Sequence, residues 1–303
     1  MKHTRKITLA SGLVFFAFVT AAFVACATQK TAIGSSQAFI PMISVPGGSF
    51  HMNNPEWGSL VNEQSVRQVT LQTFLLGQYE VTQGQYFEIT GMRPSSCKTN
   101  PEDSGPDGWM TLPVEMVNWY EALIFCNKLS VREDLEPVYR LNGSVNPDEW
   151  GEVPEDEEAA SWDVELISDA NGYRLPTEEE WEYAARGGAH SKNHKYAGSS
   201  NPDHVSWYYE NSGTRSHEVG KKAPNELDFH DMSGNVMEWC WDWDKSYAVD
   251  AKGDPIGPSS GIYKVIRGGG WSYAVDYCLV VYRHNNGPYY RAVNLGFRVA
   301  RSQ

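Results

Sequence analysis

Residues Tyr173–Gly188 read YRLPTEEEWEYAARGG. This stretch announces a helix by its start, its buried face and its stop. Thr177, followed three residues on by Glu180, is a capping box: each side chain takes an N–H that the first turn would otherwise leave unpaired. Glu178, Glu179 and Glu180 place negative charge at the positive end of the helix dipole. Trp181, Tyr183 and Ala184 carry the helix to Gly187-Gly188, where it stops. Arg174 and Arg186 flank it and are expected to be ion-paired frame residues, with Trp181 packed in the core.

The same kind of start recurs upstream. Thr82-Gln83-Gly84-Gln85 opens a short helix that ends at Gly91. Asn118-Trp119-Tyr120-Glu121 opens another, with Ala122, Leu123, Phe125, Cys126 and Leu129 as its apolar stripe. Met42–Met52 alternates around a Gly-Gly turn and predicts strand, turn and strand; Val66–Gly77 predicts one further strand. Beyond Gly188 the pattern is short strands and loops, with no internal repeat. With 27 Gly, 16 Pro, 11 Trp and 16 Tyr in 303 residues, the expected fold is loop-rich and held by aromatic packing. The fold class is α+β, in a single domain over 41–303.

The first residues are read as a leader. Lys2, Arg5 and Lys6 precede an apolar run, Ile7 to Ala25, and Phe23-Val24-Ala25-Cys26 has the form of a bacterial lipobox. A Cys at the very end of the run favours a lipoprotein signal over an ordinary secretory signal or a membrane anchor. Residues 1–25 would be removed, Cys26 lipidated, and residues 26–40 would form a polar tether. Cleavage removes three basic charges and no acid, taking the formal charge from −13 to −16. The expected location is a bacterial membrane, outer and surface-exposed, with the protein a monomer. A chain this acidic, without a basic stripe, argues against a nucleic-acid partner. The acidic run Asp148–Glu158 reads as a solvated loop.

Cys97, Cys126, Cys240 and Cys278 have no disulfide-framework or zinc spacing, and Cys126 and Cys240 sit among apolar residues as small hydrophobes. No paired carboxylates, Ser-His-Asp set or phosphate loop appears.

Near the C-terminus a frame encloses a differently composed filling. The frame is Arg267-Gly268-Gly269-Gly270-Trp271, then Cys278, Arg283, Pro288 and Arg291, then Leu295-Gly296-Phe297-Arg298. Between Ser272 and Asn294 there is no Lys, Glu, Gln, Met or Trp. Those types make up roughly a fifth of the chain, so a gap this long has a chance on the order of a few in a thousand.

Several motifs together carry a resemblance. They are Gly47-Gly48-Ser49-Phe50-His51-Met52, Tyr79-Glu80-Val81-Thr82, Pro113-Val114 with Val117-Asn118-Trp119, and the 173–188 stretch. Gly234-Asn235-Val236 with Glu238-Trp239, and Arg267-Gly268-Gly269 with Gly296-Phe297-Arg298, complete the set. In this order they resemble the formylglycine-generating enzyme (sulfatase-modifying factor) family. The resemblance implies a variant of the C-type lectin fold. It also implies a test of activity, because enzymes of that family oxidise a substrate cysteine with a cysteine pair and copper. Aligned on Gly268–Trp271, the second cysteine falls on Cys278 and the first on Tyr273, and a phenol cannot replace a thiolate. The expectation is therefore no enzyme and no copper, with copper-dependent thiol oxidation as the alternative. The family's calcium loop matches Asp231, Gly234, Val236 and Glu238, so a structural Ca2+ is a candidate cofactor.

The C-terminal filling is similar to that of variable proteins diversified by retroelements. In those systems adenine randomisation of Asn codons never yields the five missing types. That resemblance implies diversified positions at Tyr273, Val275, Asp276, Tyr277, Leu279, Tyr282, His284, Asn285, Asn286, Gly287, Tyr289, Tyr290, Ala292, Val293 and Asn294. The solvent-facing subset would bind an unknown protein or glycan. Tyrosine gives rigid contact area at low entropic cost, and Asn, Asp and His give adaptable polar contacts.

Overall fold

In the computed structural model, the described residues are Met1, 39–53, 66–97, 108–157, 162–244 and 261–303. The leader, Cys26 and most of the tether lie outside them. All the elements below belong to one unit, Gln37–Gln303.

The three helices start where their caps predict. Thr82 opens α1 (Gln83–Thr90), Asn118 opens α2 (Trp119–Arg132) and Thr177 opens α3 (Glu178–Ala185), each with both halves of the capping box formed. Gly91 ends α1 in the left-handed region that glycine adopts without strain. A one-turn α4 (Pro202–Val205) follows.

Met42–Met52 does form two strands, β1 (Met42–Val45) and β2 (Gly48–Met52), but they do not pair with each other. The single strand predicted over Val66–Gly77 is two, β3 (Arg67–Leu71) and β4 (Phe74–Gly77). β1 pairs β4 and β2 pairs β3, so the chain changes sheet between the two halves of each run. Gly47 marks the crossing: a Cβ there would lie 2.5 Å from the Leu71 carbonyl oxygen.

Further short strands are β5 (Tyr139–Arg140), β6 (Glu165–Leu166) and β7 (Tyr173–Arg174). Then come β8 (Met237–Trp243), β9 (Lys264–Arg267), β10 (Arg283–Asn286), β11 (Leu295–Gly296) and β12 (Ala300–Ser302). One four-stranded sheet runs β1-β4-β12-β7 and the other β10-β9-β8-β11; β2-β3 and β5-β6 are separate pairs. The fold is α+β, as the sequence implied.

Two buried clusters hold these elements. One gathers Trp119, Phe125, Tyr139, Trp239 and Phe297 around α2, and the other gathers Phe74, Trp181, Cys240 and Val280 around α3. Trp241 and Trp243 are half-buried at the first cluster's margin. Buried ion pairs tie the shell together. Arg298 makes a two-pronged bond to Glu238 at 2.6 and 2.7 Å, with both side chains fully buried. Arg174 grips Glu180, and Arg186 grips Glu182. Such pairs offset the cost of burying charge through geometry and added hydrogen bonds. Among the described residues, no helix is long and apolar enough to cross a membrane.

Candidate binding surface

The Gly268-Gly269 turn leads out of β9 with φ of 95° and 68°, both left-handed. A Cβ on Gly269 would lie 2.4 Å from the Tyr277 carbonyl oxygen, so glycine is required here. From this turn the segment 272–294 crosses the molecular surface, held through its backbone and by Cys278, Leu279, Val280 and Val281, which are buried in the α3 cluster. Arg267 donates to the carbonyls of Val280, Val281 and Tyr282 at 2.8 to 3.2 Å. The Tyr273 carbonyl accepts from Tyr209 N–H, Pro288 from Trp119 N–H, and Ala292 from Met116 N–H. Val293 O takes the Trp271 indole N–H, and Asn294 O takes Met237 N–H. Contacts to carbonyls do not depend on which side chain the residue carries. The path of the segment is thus fixed by residues outside the filling, by its own arginines and by its buried stretch Cys278, Leu279, Val280 and Val281. Arg291 pairs with Glu121, and Arg283 with Glu178 and Asp244.

The candidate positions divide by exposure. Asp276, Tyr290 and Val293 are exposed, with Tyr290 at 37% and Val293 at 39%. Tyr273, Val275, Tyr277, Tyr282, His284, Asn285, Asn286, Tyr289 and Ala292 are half-buried. Ser272 and Ala274, outside the expected set, are exposed beside them. Tyr277 stands between Tyr273 and Tyr282, with ring centres 5.3 and 4.9 Å away, which makes a continuous phenol patch.

Three expected contact residues do not face solvent. Leu279 is 5% exposed and packs into the α3 cluster. Asn294 is equally buried, its amide donating to Ser272 Oγ at 2.7 Å. Gly287 is buried beneath the Tyr289 ring. Asn285 is committed as well, since its amide donates to Asp244, the partner of Arg283. Burial lowers the basicity of His284.

The copper set lacks its second thiolate, and the carboxylates of the calcium set have protein partners. Cys278 is fully buried, and burial pushes its thiol up to about 12, so it is a protonated packing residue. The position of the other cysteine of the family pair holds the phenol of Tyr273. In the calcium loop, both Glu238 oxygens are taken by Arg298, and one also accepts the Trp181 indole N–H. Within the expected set of Asp231, Gly234, Val236 and Glu238, the Glu238 carboxylate is thus paired with a guanidinium. Asp231 accepts from Gly220 N–H through one oxygen, and burial raises its carboxyl to about 6. Glu80, which accepts from Asn235 and Val236, is held well above the usual range by burial, with Asp231 and Glu238 adding to it. Among the described residues, no group of three or more His, Cys, Asp or Glu is arranged to hold a metal.

Sequence reading missed Lys264. Its buried ammonium lies 3.8 Å from the ring centre of Trp119 and 3.6 Å from that of Trp243, and donates to Trp241 O at 2.9 Å. It sits in β9 opposite Asn286 of β10, a fixed aromatic floor under the edge strand. A lysine between tryptophan-rich strands was the available signal, but only the pairing of β8 and β9 brings them together.

Residues 29–303 match the family described as the sulfatase-modifying factor enzyme 1-like domain, and the chain belongs to that family. It is similar to the chaperone protein LppX of Paenibacillus barcinonensis, 34% identical over 92% of this chain and 94% of that one. It is also similar to a formylglycine-generating enzyme of Thermomonospora curvata, 28% identical over 86% of this chain and 92% of the enzyme. Among solved structures, Treponema denticola variable protein 1 superposes with a TM-score of 0.75 at 37% identity, covering 86% of this chain and 94% of that one.

Proposed function

We propose that this chain is a non-enzymatic, lipid-anchored surface protein whose C-terminal segment 272–294 displays a diversified ligand-binding surface. Cys26 is the anchor in this reading, and the described domain is carried outside a bacterial membrane. The observation that carries the proposal is the manner of attachment. A Tyr-rich segment is pinned at its carbonyls by Arg267, Trp119, Met116 and Met237 and by the buried side chains of Cys278, Leu279, Val280 and Val281, leaving its outward side chains free to change. The likeness to a variable protein supports the same reading. So does the loss of the cysteine pair, since Tyr273 and a buried, protonated Cys278 cannot form a two-thiolate copper site. The contact set is narrowed to Asp276, Tyr277, Tyr289, Tyr290 and Val293, with the outer faces of Tyr273, Tyr282 and Asn286.

Sequencing this gene in sister strains tests the proposal. Differences are expected to concentrate at these positions, beside a near-identical template repeat downstream. Differences spread evenly along the chain would overturn it.

A further inference from the structure

We infer that the outer face of α1, together with the turn at Trp109, rests on the lipid surface to which the chain is anchored. The inference rests on the lipid-anchor reading above and adds a second contact between the protein and its membrane.

Helix α1 buries Tyr86 and leaves Phe87 42% exposed. The Phe87 ring meets Trp109 edge to face, with ring centres 6.0 Å apart, and the Arg93 guanidinium lies 3.8 Å over the same indole. Met110, 43% exposed, sits on Gly84 of α1, where a Cβ would lie 2.9 Å from the Met110 Cβ. Met92, next to Arg93, is 53% exposed. Large apolar side chains grouped in this way on a surface mark a contact site. None of them belongs to the variable segment, so the patch stays constant whatever that segment carries. Tryptophan beside arginine suits the boundary between headgroups and acyl chains: the indole and the apolar stem enter, and the guanidinium stays at the phosphates.

The chain's own anchor identifies what covers this face. The described domain begins against α1. The Phe39 carbonyl accepts from Gln85 Nε2 at 3.1 Å, and the Phe39 ring lies under the Arg132 guanidinium. That guanidinium pairs at 2.5 Å with Glu88, the neighbour of Phe87. Only 12 residues, 27–38, separate Phe39 from Cys26. Fully extended, they reach ~45 Å at most. A domain of this size has a radius of gyration of about 18 Å, so a chain routed around to its far side needs roughly 70 Å. The tether is too short for that path. The side where Phe39 joins α1 therefore stays over the bilayer, and the apolar patch lies on the same helix.

The test uses the full chain, purified from bacterial membranes with its anchor in place and returned to vesicles of phosphatidylcholine. One set of vesicles carries bromine on the acyl chains near the headgroup, where it quenches a tryptophan that touches lipid. The parent protein should be quenched on the brominated vesicles. Trp109→Phe should lower that quenching about fivefold, and Trp271→Phe, at the variable surface, should change it less than about twofold. Phe87→Glu keeps the indole but puts a carboxylate into the patch, and it should lower quenching about threefold. Melting curves confirm that the three variants fold. An unquenched parent on vesicles, or quenching that survives in Trp109→Phe, would overturn the inference and leave the anchor reading standing. The mass of the N-terminal peptide decides the anchor separately: a chain without lipid on Cys26 would overturn both.

Discussion

Arg267 binds Glu182 across 85 positions of sequence, with both side chains fully buried. The same guanidinium holds three successive carbonyls of the surface segment. One residue therefore joins the α3 core to the path of the candidate binding surface.

Arg267→Ala should destabilise the protein by about 3–5 kcal/mol, because it removes one of the two guanidiniums on buried Glu182 and the donor of three carbonyls. Arg267→Lys should recover only part of that, since an ammonium cannot reach Glu182 and three carbonyls in one plane. Urea unfolding checks both; a loss under about 1 kcal/mol for Arg267→Ala would refute the role.

Within the segment, position should matter more than residue type. Leu279→Ala is expected to cost about 2–5 kcal/mol as a core deletion. Tyr290→Ser and Val293→Ser should each stay within about 0.5 kcal/mol as surface changes. Thermal melts of the three variants separate frame from display, and equal costs would contradict the division.

Glu115 gives a pH dependence of known sign. It is buried, accepts Cys97 N–H at 2.6 Å, and burial raises its carboxyl to about 7. A raised folded pKa means the folded state holds the proton more tightly than the unfolded chain. The stability this supplies is full below the unfolded value of about 4.3 and is lost as pH rises through about 7. Glu115→Gln should flatten stability between those limits and raise it at pH 8 relative to the parent. Denaturation curves across that range showing no change in slope would refute this account.

Calcium should be without effect on the Asp231–Glu238 loop. Adding millimolar Ca2+ or a chelator is expected to leave the melting temperature unchanged, because Arg298 holds Glu238. A rise of several degrees with Ca2+, lost on Glu238→Gln, would show that the guanidinium yields to the ion.

Thiol oxidation should also be absent. Full-length protein mixed with copper(I) and a cysteine-containing peptide is expected to give no turnover. Activity abolished by Cys278→Ser would restore the enzymatic alternative.

The helices were legible because a capping box is local: Thr82, Asn118 and Thr177 each find their partner three residues on. The strands were legible as alternation but not as pairs. Nothing within Met42–Met52 tells β1 to join β4 while β2 joins β3. The burial of Leu279 and Asn294 was hidden for a related reason. The segment runs through a short 3-10 turn and loops, so neither the helical nor the strand period sorts its inside from its outside.

By itself, the sequence determined the α+β class, the helix starts, the Arg and Gly frame, and the unusual composition between Ser272 and Asn294. Local chemistry and residue counts carry those properties. Tertiary structure alone decided which tyrosines reach solvent, that Arg298 pairs with Glu238, and that Glu157 stands beside Tyr289 from 132 positions away. Those facts depend on contacts between distant segments, and such contacts exist only once the two cores have closed.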